Sequence, residues 1–292
     1  MLYFIRQYTN VEVNEGGVIY MSGTVYVVGN FKGGVGKTKT VTMLAYESAR
    51  YLKERTLVID MDPQGNATRV LAKTGDLDAI DKSITEGFQN GALETEVITV
   101  MENLDIIPAN TSFRNLPKML FNMFPDDEVA QITYLKKLVA PLKEKYDRIY
   151  IDVPPTISDY SDNAMLAADY CIIVLQTQEL SLDGAQTYIA YMQFLAENYE
   201  ADLQVLGIIP MMLRQGGRVD TKVLDQAKEM YGGNVLNTIV NYQERLKVYD
   251  VEGIHMHKNL NGTIEMWDAK AHQLFVEVLT ELNEHEDYLK KL

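Results

Sequence analysis

The chain has 292 residues, 47% of them hydrophobic, enough for a large core, and no run of about 18 apolar residues, so no helix is expected to span a membrane. Forty-one acidic residues against 27 basic ones leave a net charge of −14, which argues against a surface coated for nucleic-acid binding but leaves room for a local basic patch. The single cysteine, Cys171, excludes an internal disulfide and cysteine-rich metal ligation within the chain, and points to the cytoplasm.

Residues 1–22 read as an N-terminal extension ahead of one domain over 23–292. The extension carries one positive charge, Arg6, and lacks the long apolar stretch of a secretory signal. "TVYVVGN" (24–30) is a short β-branched apolar run, read as a strand. Val41, Leu44, Ala45, Ala49 and Leu52 recur at helical spacing, predicting a helix over 38–52. "TLVID" (56–60) is a second buried strand, 83–88 a helix and "LDIIPA" (104–109) another strand. Residues 112–145 carry two helical patterns split near Pro125. Strands follow at 147–155, 170–176, 204–210 and 235–240, and helices at 159–168, 182–198, 219–231 and 268–283. Continuous apolar strands alternating with helices predict an α/β fold, a doubly wound and mostly parallel sheet with helices on both faces. Residues 251–266 are the least regular stretch after the N-terminus.

"NFKGGVGKT" (30–38) stands between the first strand and the first helix, the context a phosphate-binding loop requires. Gly33, Gly34 and Gly36 let the backbone curl so that N–H groups, including that of Val35, converge with the helix N-terminus on one anion. Lys37 would reach the β- and γ-phosphates of a nucleotide, and Thr38 would set its hydroxyl on Mg²⁺. The first glycine of the common motif falls on Phe31, and a second lysine, Lys32, stands in the loop. "TLVIDMDPQGNAT" (56–68) ends a strand with Asp60 and Asp62, which at i and i+2 address one side. "RIYIDVPPT" (148–156) delivers Asp152 to the same sheet edge, where ligands bind in such folds.

The pattern K-G-G-V-G-K-T with D-x-D-P-Q-G-N-A-T and D-x-P-P resembles the deviant Walker A ATPases of the ParA/MinD family, on the ParA side, over roughly residues 24–283. The resemblance implies a P-loop NTPase fold, ATP and Mg²⁺ as ligands, and hydrolysis of ATP to ADP and phosphate. It implies that Lys32 reaches the phosphates of a partner protomer's ATP in a sandwich homodimer. Asp60 is then expected near the Mg²⁺ shell, Asp152 on the metal directly or through water, and Asp62 at the attacking water. Pro210 and Met211 of "GIIPMML" are expected against the adenine, and 175–186 at the dimer face. Lys39 departs from the family, where a second hydroxyl residue follows Thr38; its backbone N–H is still expected on the α-phosphate.

By the same resemblance the ATP-bound dimer binds non-specific DNA through basic residues, here Arg214, Arg218, Lys222, Arg245 and Lys247, and a separate centromere-binding protein stimulates hydrolysis. The implied role is plasmid or chromosome partition by a cytoplasmic, nucleoid-associated protein. No separate helix-turn-helix domain is expected ahead of the first strand. His255, His257, His272 and His285 read as ordinary histidines without a ligand cluster. A membrane-positioning relative would want a basic amphipathic C-terminus, whereas "EVLTELNEHEDYLKKL" is acidic until its last residues. The alternatives are a same-fold ATPase acting on a membrane or protein positioning system, a metabolic ATP-dependent synthetase, or a nucleotide switch without useful turnover.

Overall fold

A computed structural model describes residues 11–13, 19–176, 179–199, 201–213 and 217–292. In chain order the elements are β1 (Val11–Val13), β2 (Ile19–Met21), β3 (Thr24–Gly29), α1 (Lys37–Glu47, continued by a π-turn over Ser48–Leu52), β4 (Thr56–Asp60), α2 (Asn66–Thr74) and α3 (Ile84–Asn90). They continue with β5 (Ile98–Met101), β6 (Leu104–Ile107), α4 (Leu116–Met123), α5 (Glu128–Val139), β7 (Arg148–Asp152), α6 (Asp159–Ala167), β8 (Tyr170–Gln176) and α7 (Glu179–Tyr199). The chain ends with β9 (Gln204–Leu213), α8 (Arg218–Tyr231), β10 (Val240–Asn241), α9 (Glu244–Glu252) and α10 (Met266–Leu289).

Eight strands form the main sheet in the order β10-β9-β8-β3-β7-β4-β6-β5. All pairs are parallel except β5 with β6. β1 and β2 pair antiparallel as a separate ribbon. The inner strands are buried on both faces, and their alternate residues supply two cores. Val25, Val27, Ile59, Ile151 and Ile173 point to the layer of α5, α6 and α7. Tyr26, Val28, Val58, Tyr150 and Val174 point to the layer of α1, α9 and α10. β3 lies mid-sheet between β7 and β8, so the loop after it opens at the centre of the sheet's C-terminal edge. Ligands bind at that position in open parallel sheets.

The predicted fold class is the observed one. Besides the β1–β2 ribbon, three elements were not expected. α2 is a nine-residue helix that begins inside the D-P-Q-G-N-A-T turn, where Gly65 takes a left-handed φ of 61°. β5 is a half-buried antiparallel edge strand with no clean alternation. α9 occupies the stretch read only for its charges. The strand expected at 235–240 reduces to a bridge between Val235 and Ile208 and the two residues of β10. Within 251–266 a tight turn closes, bridged Lys258 to Ile264, with Asn259 N–H donating to Thr263 O at 2.8 Å.

Candidate nucleotide site

The loop between β3 and α1 is fixed at its entry by Asn30, which is buried. Its Nδ2 donates to Val174 O (2.9 Å) and Ser181 O (3.4 Å), and its Oδ1 accepts from the Lys32 N–H (2.9 Å). Gly34 and Gly36 hold φ of 75° and 101°, in the left-handed region where a side chain is strained. A Cβ on Gly34 would meet no atom within 4 Å, so the loop faces open space there. Gly36 caps α1, whose first-turn N–H groups have no helical acceptor and carry the positive end of the helix dipole.

Lys37 is 7% exposed and its Nζ donates to Lys32 O at 3.2 Å. Burial pulls its ammonium below the ordinary lysine range, against the opposing pull of Asp152 and Asp62. Thr38 Oγ1 donates to Asp152 Oδ2 at 2.8 Å. The second oxygen, Asp152 Oδ1, is buried with no hydrogen-bond partner. Asp60 sits directly opposite Asp152 across the β4–β7 ladder, also fully buried. Its Oδ2 accepts from Thr68 N–H (2.9 Å) and Thr68 Oγ1 (2.8 Å), and its Oδ1 from the Asp62 N–H (3.1 Å). Burial pushes Asp60 up to about 6 despite those donors. Burial and then the Asp60 charge hold Asp152 well above the usual carboxylate range.

Two adjacent buried carboxylates, one with an oxygen left bare, form a site that gains from a cation. The oxygens of Thr38 and Asp152 fit a hard divalent ion such as Mg²⁺. Asp60 stands beside these oxygens with its own donors in place. Both its oxygens already accept hydrogen bonds, and they tie α2 to the end of β4, so the bare oxygen belongs to Asp152 alone. Asp62 Oδ1 accepts from the Gln64 N–H at 2.9 Å. Asp62 lines a cavity of about 550 Å³ together with Gly34, Gly36, Lys37, Thr38 and Lys39.

Other expected residues fall elsewhere. Pro210 and Met211 are buried in β9 and do not line this cavity; Met211 packs under α1, its Sδ 3.9 Å from Thr40 Oγ1. The expectation that they stack on the adenine is not met by this packing. Arg245, expected on DNA, is 15% exposed at its side chain and bonded to Asp268, Glu265 (3.0 Å) and His257 Nδ1 (2.7 Å). Its charge is spent inside the fold. Lys222 and Lys247 are exposed, Lys247 with its Nζ 4.8 Å above the Tyr242 ring and 3.7 Å from Glu244. Arg214, the Arg218 side chain and Thr177–Gln178 of the expected dimer segment lie outside the described residues, as does most of 1–22. His272 is buried, not an ordinary surface histidine, and it bridges Glu47 on α1 and Tyr249 on α9. Asp250, which lines the cavity, was not foreseen; nothing local in "KVYDVEG" marks it.

No helix among the described residues is long and apolar enough to cross a membrane. A family model described as an AAA domain matches residues 23–205. The chromosome-partitioning ATPase Soj of Treponema pallidum is 30% identical over 80% of this chain and 88% of its own length. A plasmid partition protein of Borrelia burgdorferi B31 bound to AMPPNP has the same fold, with a TM-score of 0.71 over 89% of this chain and 99% of that one at 21% identity. Cobyrinic acid a,c-diamide synthase of Mycobacterium smegmatis, solved with ADP and magnesium, is 25% identical with a TM-score of 0.67 over 78% of this chain and 92% of that one. With an AAA-domain match over 23–205, which includes the loop, and the Soj likeness over 80% of its length, the chain belongs to the ParA/Soj family of partition ATPases.

Proposed function

We propose that the chain is an Mg²⁺-dependent ATPase that forms an ATP-sandwich homodimer, binds DNA without sequence preference, and is released when a centromere-binding partner stimulates hydrolysis. The observation that carries the nucleotide half is the bare buried Asp152 Oδ1 beside Thr38 and the buried Lys37, at the N-terminus of α1. Thr38 and Asp152 hold the metal, which when bound supplies positive charge to the phosphate oxygens. Lys37 binds the β- and γ-phosphates and Asp62 orients the attacking water. Lys32, its backbone set by Asn30, contacts the phosphates of the partner protomer's ATP. ATP then favours the dimer because each nucleotide is shared between two chains, a differential affinity rather than a new contact within one chain.

For DNA, Lys222 and Lys247 are the exposed cations of the expected set, with Arg214 and Arg218 completing it. Arg245 acts behind this surface by seating α9. A protein of net charge −14 binds duplex through such a patch only weakly, and its affinity falls with salt. The test is binding of the purified chain to non-specific duplex at low and moderate salt, with ADP and then with a slowly hydrolysed ATP analogue. Salt-sensitive binding with the triphosphate alone supports the reading. No binding in either state overturns the DNA half and shifts weight to a same-fold ATPase with a small-molecule or protein target, the class to which the Mycobacterium smegmatis synthase belongs.

A further inference from the structure

Lys39 stands in the first turn of α1, directly after Thr38, and Asp250 lies near the end of α9, 211 residues away. Lys39 Nζ donates to both carboxylate oxygens of Asp250, at 2.7 and 2.8 Å, and to the Leu246 carbonyl. The lysine side chain is 12% exposed and that of the aspartate 52%. Both residues line the same cavity as Gly36, Lys37 and Thr38. A carboxylate is therefore parked on a cation at a helix N-terminus, inside the cavity where the loop geometry admits anions. Asp250 is presented there by a fixed support. Lys73 on α2 donates to Val251 O, and the Ile254 N–H donates to Thr74 Oγ1 at 2.9 Å. Gly253, at a φ of 91°, brings the backbone so close that a Cβ would lie 2.6 Å from the Thr74 nitrogen.

We infer that Asp250 is a resident competitor for the nucleotide: its carboxylate holds Lys39 until a phosphate displaces it, after which Lys39 binds that phosphate. The inference rests on the nucleotide reading above and deepens it. Three features support it. The carboxylate is more exposed than the ammonium it holds, so it can leave into water while Lys39 stays in the cavity. An ammonium gains as much from a phosphate oxygen as from a carboxylate. An uncompensated Asp250 at the cavity wall would repel an incoming polyphosphate. Lys37 feels the charges of Asp152 and Asp62, whereas Lys39 is turned to Asp250 and Leu246 on α9, away from the carboxylates that face a terminal phosphate. The phosphate it takes is thus one that ADP and ATP share.

Calorimetric titration of the full chain with Mg²⁺ and ADP, and with a slowly hydrolysed ATP analogue, tests this at low salt. Asp250→Asn should tighten both nucleotides about fivefold, by removing the competing charge. Lys39→Ala, or Lys39→Gln should the alanine variant fold poorly, should weaken both about tenfold. The double variant should bind both nucleotides less tightly than wild type but more tightly than the lysine variant alone, because an Asp250 left without Lys39 repels the polyphosphate. Unchanged affinities with lowered melting temperatures would make the pair a simple pin between α1 and α9 and overturn the inference. So would weaker binding by Asp250→Asn, which would make the carboxylate itself a nucleotide ligand. If the wild-type chain binds neither nucleotide, the nucleotide reading falls and takes the inference with it. If it binds and the variants are indifferent, only the inference falls.

Discussion

Two polar clusters sit on the same side of the sheet and differ in whether their charges are satisfied. Around Asp152, two buried carboxylates face each other across β4 and β7, one oxygen has no donor, and the neighbouring Lys37 is held by a single carbonyl at 3.2 Å. Around Asp268, also fully buried, the carboxylate accepts from Arg245, from Tyr249 Oη (2.6 Å) and from the His257 N–H (2.8 Å). Burial alone would raise Asp268; those donors outweigh it and hold the group well below the usual carboxylate range. The first cluster leaves a buried carboxylate oxygen without a donor. The second is complete, and ties α9, the 253–265 segment and α10 together. A basic residue is therefore a candidate for ligand binding only after its internal acceptors have been counted, and Arg245 fails that test.

The comparison breaks if the two clusters respond alike to substitution. Lys37→Ala should reduce ATP affinity by more than about a hundredfold while leaving the melting temperature nearly unchanged, since the ammonium is held for a ligand; calorimetric titration and a thermal scan measure both. Asp62→Ala should cut turnover by about a hundredfold yet leave ATP-dependent dimers intact, as read by phosphate release and size-exclusion chromatography. A monomeric Asp62→Ala protein in ATP would remove Asp62 from the hydrolytic step.

Asp268→Ala should behave in the opposite way, destabilising the chain by about 3–5 kcal/mol in urea unfolding with little change in nucleotide affinity, because it removes the buried acceptor shared by Arg245, Tyr249 and His257. Asp60 sharpens the contrast through pH. Its folded pKa, about 6, lies above the ordinary carboxylate value, so the folded state binds the proton more tightly than the unfolded state. That contribution is fully present below about pH 4 and is lost as pH rises through about 6. Asp60→Asn should remove it, so the stability difference between variant and wild type should shift in the variant's favour by about 2–3 kcal/mol from pH 4 to pH 7. The smallest expected effect is at the surface. Lys247→Ala should weaken DNA binding about two- to threefold and lower the salt slope by about 1. Arg245→Ala should change the melting temperature first.

The phosphate loop was legible because its chemistry is contiguous. Gly33 to Thr38 supply the curl, a lysine and a hydroxyl side chain within one short stretch of chain, and the strand before and helix after them are set by local apolar spacing. Asp152 was legible for a related reason: a buried parallel strand has one exit, so an aspartate at its end reaches the sheet edge. α2 was hidden because nine residues starting in a turn give too few helical repeats to read, and its N-terminus is held by contacts between Thr68 and both Asp60 and the distant Ala109 N–H.

What the amino-acid sequence determined by itself is the alternation of elements, the doubly wound class and the glycine loop between the central strand and its helix, all of which rest on spacing within short stretches. What only the tertiary structure decided is which charges remain available. Lys39 meets Asp250 across 211 residues, Arg245 meets Asp268 across 23, and His272 meets Glu47 across 225. Whether a charged side chain is spent inside the fold or offered to a ligand depends on partners that packing brings together, and no local pattern along the chain encodes those meetings.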